Sequence, residues 1–107
     1  ERLYLPHRQY SDLPLYSGGR IWQRQRHVYC YPFYYIDYCL AQTVALQLWH
    51  GALDDRPGTM ARYEQLCQLG GSQPFTKLLD KVGLDSPLRE GSLSAVVQTS
   101  AEALGLD

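Results

Sequence analysis

The chain has 107 residues, 45% of them hydrophobic and 20% charged, with a net charge of −1, which describes one globular domain and excludes intrinsic disorder. Ten Lys and Arg stand against eleven Asp and Glu, so charge supplies no pull toward nucleic acid or an acidic membrane. Cys30, Cys39 and Cys67 are odd in number and lack C-x-x-C spacing; free thiols in a reducing cytosol are expected, not a disulfide framework.

Residues 1–16 carry Pro6, Pro14 and scattered aromatics without a sustained period, and Ser17-Gly18-Gly19 is a flexible break. Residues 1–19 therefore read as a loop-rich lead-in. The opening at Glu1, without a Met, suggests a piece of something larger. Ile21 to Val28 reads as a short helix or an extended segment, the helix being favoured because Arg20, Gln23, Arg24 and Gln25 are good helix formers; Arg20, Arg24 and Arg26 read as a solvated helix face in preference to a phosphate footprint. His27 to Trp49 holds the longest nearly unbroken apolar run. Pro32 suits a first helical turn, where its missing N–H would have had no partner. The spacing predicts one central helix over about 32–53, roughly 30 Å long. Phe33, Ile36, Leu40, Val44 and Leu48 line one side, and Tyr38, Ala41, Ala45, Trp49 and Ala52 another. A helix apolar on two sides is expected to be buried between other elements. Asp37, Gln42, Thr43 and Gln47 interrupt it, which makes it a poor membrane span.

Asp54-Asp55-Arg56-Pro57-Gly58 is a turn signal. Thr59 is positioned to cap a helix to Leu69 with Met60, Tyr63, Leu66 and Cys67 on one face, and Gly70-Gly71 to close it. Pro74 opens the next helix, with Phe75, Leu78, Leu79 and Val82 inward and Gly83 as its stop. After a turn at Asp85-Ser86-Pro87, Ser92 is expected to cap a last helix along which Leu93, Val96, Val97, Ala101 and Leu104 recur. No segment alternates with period two. The expected fold is all-α, four to five helices around the long central one, with 20–107 helical throughout.

Tyr31, Tyr35, Tyr38 and Gln42 fall at helical spacing, with His27 four residues before Tyr31. Phenol hydroxyls held on one face could steady a developing oxyanion, each such donor being worth roughly 3 kcal/mol; the same spacing serves an aromatic core whose hydroxyls find backbone partners. Asp37 inside the apolar run needs a partner or a polar pocket, and anchoring a neighbouring loop or an Arg is favoured over acting as a base. His27-x-x-Cys30 is half of a metal-ligand pattern without a second pair, and His7 and His50 add none at ligand spacing. The chain has no HExxH, GxSxG, P-loop or GxGxxG.

Pro32-Phe33-Tyr34-Tyr35-Ile36-Asp37-Tyr38, continued by Leu40-Ala41-Gln42, Ala45, Gln47 and Trp49, resembles the C-terminal part of the oligoendopeptidase F-like zinc metallopeptidases, relatives of thimet oligopeptidase. Gly18-Gly19, Trp22-Gln23-Arg24-Gln25 and His27 resemble the approach to that segment. Gly70-Gly71-Ser72, Phe75, Leu78, Leu79, Gly83-Leu84, Ser86-Pro87 and Glu90-Gly91 resemble its closing helices. The resemblance implies an all-α fold enclosing a channel where short peptides are cut, with zinc held by an HExxH helix and a downstream glutamate. It makes residues 1–107 a C-terminal fragment of the helical catalytic domain, inactive alone, with the rest of that domain as partner and a cytoplasmic location. By position, His27 would contact substrate near the scissile bond, Tyr38 would be the oxyanion donor, Tyr35 a substrate-backbone or second oxyanion contact, and Tyr31 a further substrate-binding residue. The resemblance places the zinc in the parent enzyme and none in this segment, which lacks the zinc-binding helix. An exposed tyrosine wall would also invite self-association. A different class of function is a free-standing helical module whose tyrosine face binds a peptide or helix; the chain upstream of Glu1 discriminates the two, because only the enzyme needs an HExxH there. A third reading is a helical domain with no site.

Overall fold

The computed structural model describes residues 14 and 19–106. The lead-in expected over 1–19 therefore lies, apart from positions 14 and 19, outside the described residues. Among the described residues there are five α-helices and no strand: α1 Arg26–Cys30, α2 Ile36–Asp54, α3 Arg56–Leu69, α4 Phe75–Val82 and α5 Ser92–Leu104, with a 3₁₀ turn at Ile21–Arg24 before α1. The fold is all-α. It divides into two compact units, Glu1–Asp37 and Tyr38–Asp107. No helix among the described residues is long and apolar enough to cross a membrane.

The long helix begins four residues later than its periodicity suggests, at Ile36 instead of Pro32. Residues 31–35 form a turn in which Phe33 takes a left-handed backbone conformation, φ 67°. An α-helix admits no such residue, so Pro32 sits in a reversal and not in a first helical turn.

In the second unit the core is Val44, Leu79, Val82 and Leu84, with Leu48, Leu66 and Leu69 packed against it. Burial of α2 is narrower than its two apolar stripes imply. Thr43 and Val44 are its buried residues, whereas Ile36, Tyr38, Cys39 and Leu53 are exposed. The best-covered strip is the one that Val44 and Leu48 present to α3 and α4; farther round the helix Leu46 and Trp49 are half-buried, and Ala41 and Ala45 are exposed. Thr43 turns its hydroxyl back to the Cys39 carbonyl, 2.8 Å away, and so satisfies itself within the helix.

The Asp55–Gly58 stretch starts α3 instead of separating two helices. Asp55 is the N-cap, its carboxylate accepting the Gly58 N–H at 3.0 Å, and Pro57 lies in the first turn, where it loses no hydrogen bond. Thr59, expected as the cap, is buried inside α3, where its hydroxyl would lie 2.9 Å from any Cβ added at Gly51 of α2. The glycine lets the two helices approach there.

Gly70 caps α3, Pro74 caps α4 with an extended backbone, and Gly83 ends α4 in the left-handed region at φ 68°. Leu78, Leu79 and Val82 are buried as expected, but Phe75 is exposed. Gly91, not Ser92, is the N-cap of α5; Ser92 is its first residue and donates its hydroxyl to the Arg89 carbonyl at 2.8 Å. Of the stripe expected on α5, Val96 is buried while Leu93, Val97 and Leu104 face out.

The turn between α4 and α5 is tied to α2 by one side chain. The Gln47 amide donates to the Asp85 carbonyl and accepts the Asp85 N–H, both at 2.9 Å. The Asp85 carboxylate pairs with Arg89 one turn on.

Candidate functional site

The candidate site residues His27, Tyr31 and Tyr35 lie in the first unit, and Tyr38 lies on α2 at the start of the second. His27 stands in the first turn of α1, and Tyr31 caps that helix, its N–H donating to the His27 carbonyl at 3.0 Å. The chain then reverses. Tyr34 N–H donates to the Tyr31 carbonyl at 3.2 Å, and Asp37 N–H donates to the Tyr34 carbonyl at 3.1 Å as α2 begins.

This reversal wraps three phenol rings around one imidazole. The His27 ring centroid lies 5.4 Å from that of Tyr35, 6.2 Å from that of Tyr34 in a stacked arrangement, and 6.3 Å from that of Tyr31. Tyr31 and Tyr34 meet edge to face at 6.4 Å, a favoured aromatic geometry. Nearby, Trp22 of the 3₁₀ turn stacks on Tyr29 of α1 at 6.1 Å.

Sequence spacing places Tyr31, Tyr35, Tyr38 and Gln42 on one helical stripe, yet the break at Phe33 means that no single helix carries them. The turn brings Tyr31 and Tyr35 together with His27 by a different route, and it adds Tyr34. Helical spacing gives no reason to choose Tyr34; only a reversal between Tyr31 and Ile36 would, and the Tyr31-Pro32 dipeptide is the signal of it, since the residue before a proline is pushed out of the α region.

His27, Val28, Tyr31, Pro32, Phe33, Tyr35 and Ile36 enclose a cleft of about 390 Å³. Its walls are largely apolar, with an imidazole and phenols as polar points, the usual make-up of a site that grips an organic ligand. Such a surface can hold an apolar side chain and donate to a carbonyl. Phe33 is 95% exposed in spite of its size, and its left-handed backbone stores strain that a bulky side chain ordinarily avoids. Phe33→Gly is therefore expected to stabilise the chain by about 1 kcal/mol, read as a rise in the urea unfolding midpoint; a fall would mean that the ring makes contacts worth more than the strain.

Asp37, expected to need a partner in an apolar run, is exposed in the first turn of α2 and meets no Arg among the described residues. Water and the positive helix end stabilise it there. On α3, Tyr63 bonds to Cys67, and that bond, with repulsion from Cys67, raises the phenol pKa above its ordinary value. Among the described residues no three His, Cys, Asp or Glu side chains are grouped to hold a metal ion. His27-x-x-Cys30 is not part of such a group there.

A solved structure, PZ peptidase A with inhibitor 2, superposes on the chain with a TM-score of 0.83 and 39% sequence identity, over 98% of this chain. The chain is similar to a peptidase. It spans 19% of the PZ peptidase A chain, so the likeness is to one helical segment of that peptidase. No protein-family model and no curated protein matches the chain. The segment shared with PZ peptidase A takes in the described aromatic turn and all five helices.

Proposed function

We propose that the chain is the C-terminal part of a zinc metallopeptidase of the oligoendopeptidase F-like kind, which hydrolyses short peptides in the cytoplasm. The observation that carries this reading is the His27–Tyr31–Tyr34–Tyr35 cluster on an apolar cleft, in a chain 39% identical to a segment of PZ peptidase A. In this role the cleft walls take up a substrate side chain. The His27 ring contacts the peptide near the scissile bond, and Tyr31 and Tyr34 hold that ring in place. Tyr35 donates to the substrate backbone. Tyr38, half exposed on the first turn of α2, donates its hydroxyl to the oxyanion as the carbonyl becomes tetrahedral, where a preorganised donor has its largest effect. The zinc that the resemblance implies would be held outside this segment by an HExxH helix and a downstream glutamate, and when bound would supply Lewis-acid chemistry to the attacking water.

The test is hydrolysis of short internally quenched peptides by the full-length protein. Cleavage is expected, with loss of activity on chelation and recovery on adding zinc. Peptides left intact by the zinc-loaded protein would overturn the reading.

A further inference from the structure

Within the second unit, α2, α3, α5 and the turn after α4 frame an open cleft of about 230 Å³ that the peptidase reading does not use. Its apolar lining comes from Gly51, Leu84, Ala95 and Val96, of which Leu84 and Val96 are buried and form the floor. Its rim carries His50 from α2, Arg62 from α3 and Thr99 from α5.

The lining carries one cation, Arg62, and one carboxylate, Asp85. Asp85 also lines the cleft, but its carboxylate is engaged by Arg89 and its backbone by Gln47. Among the described residues Arg62 forms no ion pair. Its guanidinium is a planar fork of donors suited to a carboxylate, and the His50 ring adds a further N–H. The Thr99 hydroxyl donates to the Ala95 and Val96 carbonyls at 3.0 and 3.2 Å, which leaves its oxygen as an acceptor.

We propose that this cleft binds a small amphipathic carboxylate, its branched or short apolar chain on the Leu84–Val96 floor and its carboxylate between Arg62 and His50. The volume equals that of about eight waters at ~30 Å³ each, enough for an amino-acid-sized acid. The floor accounts for the apolar half of such a ligand and the two nitrogen-bearing side chains for the charged half. Neither half alone would select it.

The experiment labels the protein with ¹⁵N-glycine, so that Gly51 and Gly83, both on the cleft, report binding. The probes are 4-methylpentanoate, its neutral amide and inorganic phosphate. Saturable shifts of both glycines are expected with the carboxylate, and at least about tenfold weaker binding of the amide, since the charge-assisted hydrogen bonds are lost. Arg62→Gln, at an exposed position, should weaken the carboxylate about tenfold while leaving the amide unchanged and the ligand-free glycine spectrum intact. Equal binding of carboxylate and amide would overturn recognition by Arg62 and His50. Equal binding of phosphate would overturn the part assigned to the floor, and an absence of saturable shifts would overturn the site.

Discussion

Tyr38→Phe in the full-length protein is expected to lower kcat by about 10², or about 2.7 kcal/mol of transition-state stabilisation, with little change in KM or metal content. The substitution removes one hydroxyl and keeps the ring. Tyr38 is 51% exposed, so the change opens no buried cavity, and the urea unfolding midpoint of the variant separates a loss of rate from a loss of stability. A donor that acts on the oxyanion is engaged fully only when the carbonyl carbon becomes tetrahedral, and its removal therefore falls on kcat more than on KM. Tyr35→Phe, removing a donor to the ground-state backbone, should fall more on KM. An unchanged kcat in the Tyr38 variant would take that residue out of the mechanism.

Leu79→Ala should cost about 3 kcal/mol, within the 2–5 kcal/mol span for emptied leucine sites. Leu79 is 0% exposed and sits in the cluster of Val44, Val82 and Leu84, against which Leu48, Leu66 and Leu69 pack. Against a total stability of about 5–15 kcal/mol for a domain, that loss should move the urea midpoint far below that of the parent chain. Leu93→Ala on the outer face of α5 provides the control, since Leu93 is exposed and the cost should stay within about 0.5 kcal/mol. Similar costs at the two positions would mean that the core is not where the packing places it.

Features set by adjacent residues were legible from the chain. Gly83 as the stop of α4, Gly70 at the end of α3 and Pro74 at the head of α4 each follow from what one residue can do with its own backbone. Asp55 and Pro57 were equally local but ambiguous: Asp followed by Pro serves a turn and also a helix start, and α3 uses it as the start. The break before α2 was hidden because Phe33 and Ile36 keep an apolar period through it, and periodicity does not register the φ of a single residue. Burial was the least legible quantity. Spacing shows which faces of α2 are apolar; which of them is best covered depends on neighbours, and α3 and α4 pack on the Val44–Leu48 side. At the candidate site, the motif named His27, Tyr31 and Tyr35, while Tyr34 entered through a tertiary turn that no spacing rule describes.

The tie between α2 and the α4–α5 turn has a consequence for the conditions under which that turn keeps its place. Gln47 carries no charge and grips peptide groups, so neither added electrolyte nor acid weakens it directly. The Arg89 contact to the same residue lies in solvent and fades as ions screen it. The anchorage of the loop thus rests on its neutral strand of contacts, and the entrance to α5 should stay in register across a wide range of salinity and acidity.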